Sequence, residues 1–286
     1  MVATYVLLGL AIAAVWLPNL QLAGRAIAVW PFLFVASIAA GLVAGVLAWP
    51  AVAALGVLAG LCNATQKAHG VVRTVLTIVV LVLALALSIH VLPGFHNPKV
   101  FDAVRFSPNA TPFTQYANFD KGAVGLLLLA FFCRRLTGRP DAQKRFGASL
   151  LIGLAGAAVT LAVGLAFGAV QFDVKLPERF WVFLSINLLF TCVAEEAFFR
   201  GVIQERVAAA LGDQPWATYG VVALSAILFG LAHAGGGVAV VAVSTIAGVG
   251  YAAAYARSRS IESAILAHFM LNAIHFIGFT YPSLAR

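Results

Sequence analysis

Charge is scarce in this sequence. Only 10% of its 286 residues are Asp, Glu, Lys or Arg, against 62% hydrophobic residues, and the mean hydropathy is +0.99. That shortage excludes a water-soluble globular domain, whose surface needs far more charge. Cysteine is scarcer still. Cys62, Cys133 and Cys192 lie far apart, are odd in number and sit in apolar runs, which excludes a disulfide framework and a thiolate metal site and leaves three small core residues. The N-terminus lacks the basic start and small-residue cleavage site of a signal peptide, so it is expected to stay as a first span. Also missing are an internal repeat, a low-complexity tract and the inverted repeat of a transporter. The net charge of +8 does not mark a nucleic-acid binder, because the basic residues fall in short loops between apolar segments and report topology instead.

What is present is apolar sequence in long runs. A bilayer core about 30 Å thick takes about 20 apolar residues per helix. Such runs occur at roughly 2–17, 26–61, 71–92, 122–133, 147–170, 180–211, 216–233, 238–256 and 261–279. The expected fold is therefore all-α, a polytopic transmembrane helical bundle of about eight to nine membrane segments forming a single membrane domain over 1–286. The run 26–61 is too long for one straight span and contains Trp49 and Pro50, so it is expected to kink or split. The run after Gly122 is short for a crossing. Arg134 to Arg145 forms the most basic loop and is predicted to be cytoplasmic, which places Arg200, Arg206, Arg257 and Arg259 inside by alternation. The loop from Pro93 to Lys121 is then external and is expected to cap the bundle.

In such a chain the informative residues are ionisable groups inside helices, since each costs several kcal/mol, on the order of 3 at a helix centre, unless paired or facing a polar cavity. Glu195 and Glu196 lie about 15 residues past Phe180, or about 22 Å along a helix. Adjacent helical residues point about 100° apart, so the two carboxylates cannot share one role. Glu196 and Arg200 are spaced i, i+4 with the acid first, the better order for an intrahelical ion pair. Glu195 has no such partner on its own helix, which makes it the candidate general base. The alternative is that both glutamates lace helices together. Downstream, FGLAH puts Phe229 one turn before His233, ahead of a glycine turn. In HFMLNAIH, His268, Asn272 and His275 share one helical face. Each feature alone has a packing explanation. Together, one acid, two histidines and an amide on three apolar helices meet the needs of water activation and oxyanion binding, and they are expected to converge on one wet cavity.

The motifs EEAFFR (Glu195 to Arg200), FGLAH (Phe229 to His233) and HFMLN (His268 to Asn272) stand in the order EExxxR, FxxxH, HxxxN. In this the sequence resembles the CPBP intramembrane proteases, a family that includes type II CAAX prenyl endopeptidases and bacterial proteins linked to bacteriocin processing and self-immunity. The resemblance covers roughly 147–279, which it implies is the catalytic helical core, with 1–146 as N-terminal helices and external loop. It implies that Glu195 and His233 activate water, that His268 and Asn272 bind the oxyanion, and that Glu196, Arg200 and Phe229 support them. It leaves two chemistries open: a metal-free glutamate protease with no cofactor, which is favoured, or one zinc on Glu195, His233 and His268 with an open position for water. The implied partners are a peptide or protein substrate at the membrane and the lipid bilayer, with no nucleic acid. The implied location is a bacterial inner membrane. A non-catalytic peptide-binding or self-immunity protein is the alternative function.

Overall fold

The computed structural model describes residues 1–22, 24–136, 140–212 and 214–285. Among these described residues, five helices are long and apolar enough to cross a membrane: Gly70–Ser88, Pro140–Ala166, Phe180–Leu211, Val238–Ser258 and Ile261–Gly278. Three further apolar helices, Val2–Ala14, Trp30–Val43 and Trp216–Leu231, are shorter. Helix dominates, but the chain is not purely helical. Two small two-stranded sheets stand in the linkers: β1 (Leu20–Leu22) with β2 (Arg25–Ile27), and β3 (Lys99–Val104) with β4 (Phe113–Tyr116). Backbone outside a helix must find partners elsewhere, and short strands in the connections supply them. The chain is an integral membrane protein, as its lipid-ready surface also shows. Val72, Val75, Ile78, Val79, Val82 and Leu85 of Gly70–Ser88 are exposed while Thr77, Val80, Ala84 and Leu87 are buried.

The chain divides into two compact units. The first comprises Met1–Val100, Tyr116–Phe132 and Leu189–Phe198. Its helices are α1 (Val2–Ala14), α2 (Trp30–Val43), α3 (Trp49–Lys67), α4 (Gly70–Ser88), α5 (Phe119–Phe132) and α8 (Val193–Glu196). The long run 26–61 does split. Gly45 adopts φ +68 after α2, and Pro50 occupies the first turn of α3, the one helical place where its missing N–H costs nothing. The short segment after Gly122 is α5, and every residue from Gly122 to Leu129 is buried, as suits a helix that is apolar on all sides.

The second unit comprises Phe101–Gln115, Cys133–Leu188 and Phe199–Arg286. It holds α6 (Pro140–Ala166), α7 (Phe180–Ile186), α9 (Glu205–Leu211), α10 (Pro215–Leu231), α11 (Val238–Ser258) and α12 (Ile261–Gly278). Helices α6 and α11 meet where a Cβ on Gly156 would lie 2.8 Å from the Gly250 Cα, an approach only two glycines permit and a common device where lipid removes the hydrophobic drive between helices. Residues 101–115 cover the end of α12: the Phe106 ring lies edge-on to Phe276 at 4.9 Å and the Thr111 N–H donates to the Ser283 carbonyl at 2.9 Å. This middle part of the long loop thus closes over one helix end within the unit. At the other end, Glu205 accepts from Arg134 Nε at 2.9 Å, Arg259 Nη2 at 3.1 Å and the Tyr255 hydroxyl at 3.0 Å. Arg134 and Arg259, assigned to the same side by charge alone, meet on one carboxylate. Residues 137–139 of the basic loop lie outside the described residues.

Candidate active site

The helix that carries the first motif is not regular. The α-helical turn α8, Val193–Glu196, is flanked by π-helical segments at Asn187–Cys192 and Ala197–Gln204. Each π segment inserts an extra residue per turn and gives up hydrogen-bond quality, a distortion that recurs at functional sites. The two glutamates therefore sit on a short regular turn between two distorted ones.

Glu195 belongs to the first unit, and there its Oε1 lies 2.6 Å from the Lys121 Nζ of α5. The sequence left Glu195 without a partner on its own helix, and this one stands on another. The partner comes from 74 residues away, beyond anything i, i+4 spacing reveals. The pair is only partly buried, with 20% of the Lys121 and 15% of the Glu195 side chain exposed. Glu196 is fully buried.

The second unit gathers the other motif residues. His233, His268 and Asn272 line a cavity of about 470 Å³, with Phe229, Tyr251 and His275 also on its wall. His233 follows the end of α10, and its Nδ1 donates to the Phe229 carbonyl at 2.8 Å. A carbonyl only accepts, so Nδ1 holds a hydrogen, and in the neutral tautomer that this bond selects the lone pair is on Nε2. His268, buried on α12, stacks on Tyr251 at 4.5 Å and 14° and meets the Phe229 ring edge-on at 5.6 Å and 89°. Two rings from α10 and α11 thus fix the imidazole plane. Asn272, one turn on, donates from Nδ2 to the Asn187 Oδ1 at 3.1 Å, which orients its amide.

Arg200 is fully buried in this unit. Its guanidinium lies 4.8 Å from the Phe229 ring centre and 5.4 Å from that of Tyr251, and Nη2 donates to the Gly248 carbonyl at 2.9 Å. Phe229 is therefore the hub: its ring lies beside a cation and two imidazoles, the His233 ring being 4.7 Å away. His275, on the same face of α12, donates from Nε2 to the Thr280 carbonyl at 3.2 Å and so is engaged in the turn that closes the helix. Most of the remaining wall is apolar, including Leu161, Val163, Val170, Val240 and Ile246, with the hydroxyl residues Thr160, Ser244 and Ser283 beside them. A strip of hydrogen-bonding groups on an apolar pocket suits an apolar segment carrying one reactive polar bond.

Three residues here escaped sequence reasoning. Lys121 left a trace, because a lysine in the first turn of an apolar helix opposes the helix dipole and so asks for a local reason. Asn187 left a fainter one, as an amide in the run SINLLF. Tyr251 left none, since its place under His268 depends on how α11 and α12 pack. Among the described residues, no three His, Cys, Asp or Glu side chains are grouped to hold a metal ion.

In comparison with known families, residues 177–274 match the family model described as Type II CAAX prenyl endopeptidase Rce1-like. The matched segment contains all three motifs, and it bears out the resemblance to the CPBP family drawn from them. It points to a membrane protease. Searches of curated proteins and of solved structures gave no match.

Proposed function

With the CPBP family supported over residues 177–274, we propose that this chain hydrolyses a peptide bond of a membrane-associated substrate. The observation that carries the reading is the shared cavity of His233, His268 and Asn272, three hydrogen-bonding side chains set into a mostly apolar wall. Glu195, assisted by His233, takes a proton from water as the oxygen attacks the scissile carbonyl carbon. His268 and Asn272 donate to the oxygen that becomes negative. The tetrahedral intermediate collapses with loss of the amine, which receives the proton held on the acid. Glu196 and Arg200 form the supporting pair: Arg200 ties the motif helix to Phe229 and Tyr251, and through them to His268. The location that goes with this reading, as the motif resemblance implies, is a bacterial inner membrane.

The test is peptide cleavage by purified, detergent-solubilised variants, each checked for folding, with and without a zinc chelator. Glu195→Gln keeps the shape but cannot accept the proton, so cleavage should fall by about 10² to 10⁴ while peptide binding persists. Asn272→Ala should lower turnover by about 10² to 10³ through loss of an oxyanion donor. Full activity in Glu195→Gln ends the proposal. Activity abolished by chelator and restored by zinc would make Glu195, His233 and His268 metal ligands instead. Peptide binding without cleavage by the wild-type protein would favour the self-immunity or binding alternative.

A further inference from the structure

The first turn of α5 is fixed from several sides, all within the first unit. The Phe119 N–H donates to the Asn97 Oδ1 at 2.8 Å. The buried Asp120 carboxylate receives Asn97 Nδ2 at 3.1 Å, His90 Nδ1 at 2.7 Å and the Lys121 N–H at 2.9 Å. His90 itself takes φ +62, a left-handed backbone costly for a side chain of its size and held here by that hydrogen bond. One turn further, the α5 backbone runs against the motif helix. A Cβ on Gly122 would lie 2.8 Å from the Phe190 ring, and one on Gly125 would lie 2.9 Å from the Ala194 Cα. Two glycines three residues apart thus bring α5 alongside the residue preceding Glu195. The Lys121 ammonium, anchored at one end by this network, then reaches the Glu195 carboxylate at 2.6 Å.

We infer that Lys121, contributed from outside the family-matched segment, is a positioning residue of the hydrolytic site. Its ammonium supplies the countercharge for Glu195 and fixes which carboxylate oxygen points away to take the proton. The inference rests on the reading of Glu195 as general base. A carboxylate at membrane depth is tolerated when paired, and a base that swings away from its reacting geometry loses rate steeply. The Asn97, His90 and Asp120 network extends the requirement: it holds the helix that delivers the ammonium. The N-terminal helices thereby become part of the catalytic apparatus instead of a passive membrane anchor.

The experiment compares Lys121→Met and Lys121→Arg with the wild type in the full chain, reading kcat, KM and thermal unfolding together. Lys121→Met keeps the length and loses the charge. It should lower kcat by about 10², the cost of a roughly 1 Å misplacement of a reacting group, with KM within about threefold. Lys121→Arg, which restores the charge, should recover at least about a tenth of the lost rate. Should Lys121→Met not fold, Lys121→Gln, which still donates a hydrogen bond, takes its place in the comparison. A Lys121→Met protein with wild-type kcat, alongside an inactive Glu195→Gln, overturns this inference and leaves the proposed function standing. A pair that is only a structural clamp gives lower thermal stability with kcat unchanged, which also overturns it. Activity in both Lys121→Met and Glu195→Gln sinks the proposed function itself.

Discussion

In the first unit two carboxylates are matched by nitrogen donors on other helices and loops, Asp120 by His90 and Glu195 by Lys121. Around the cavity of the second unit the polar groups are matched by rings and amides: Arg200 by Phe229, Tyr251 and the Gly248 carbonyl, His233 by the Phe229 carbonyl, His268 by Tyr251, and Asn272 by Asn187. The two solutions differ in what they tolerate. A pair near the surface can exchange a lost partner for water, and 43% of the His90 side chain is exposed. A cation buried among rings has no water to fall back on.

The largest break in this comparison is expected at Arg200. Arg200→Ala removes the cation–ring contacts, leaves the Gly248 carbonyl unmatched and opens a cavity, for a loss of about 3 to 5 kcal/mol. Equilibrium unfolding in mixed micelles measures it, and a loss below about 1 kcal/mol would remove Phe229 and Tyr251 as determinants of the fold. Asp120→Ala in the first unit should cost less, about 1 to 3 kcal/mol, because His90 turns to solvent while Asn97 and the Lys121 N–H lose their acceptor. Equal losses at the two positions would erase the distinction drawn above.

Much of this was legible beforehand. The three motifs and the polar face of α12 stand in the sequence because an ionisable or amide side chain in an apolar run has few reasons to be there. Pro50 announced the break between α2 and α3 because a proline fits only a first turn. The π segments around α8 were not legible, since they reflect how one helix adjusts to its neighbours. Neither was the Lys121 pair: both residues could be seen, but only packing of Gly122 and Gly125 against Phe190 and Ala194 brings them together. Tyr251 read as one more apolar residue of α11. Aromatic support is invisible to a search for charge, which is why the second unit's site was read more through its motif than its surroundings. The short strand pairs were missed for a simpler reason, since three to six residues in a connection carry too little alternation to be recognised.

A smaller effect separates the loops from the helices. The Ser107 hydroxyl, followed by the Lys175 ammonium 3.2 Å from Oδ2, holds the Asp173 carboxyl below its usual range. A carboxyl lowered by folding contributes stability above its unfolded value of about 4 and loses it as pH falls through the folded value. Melting temperatures of the wild type and Asp173→Asn should therefore differ by a constant amount near neutrality and converge below about pH 4. Curves that stay parallel under acid would show that Asp173 does not hold its loop.

The proposed mechanism requires Glu195 and His233 to act on the same water. A double-mutant cycle on kcat for peptide cleavage, using Glu195→Gln, His233→Ala and the double variant, measures this. Groups acting as one device are not additive: each single variant should lose about 10² to 10⁴, and the double variant should be about as slow as the slower single one. Losses that multiply, so that the double variant falls by the product of the two, would show that Glu195 and His233 act independently and would contradict the proposed mechanism.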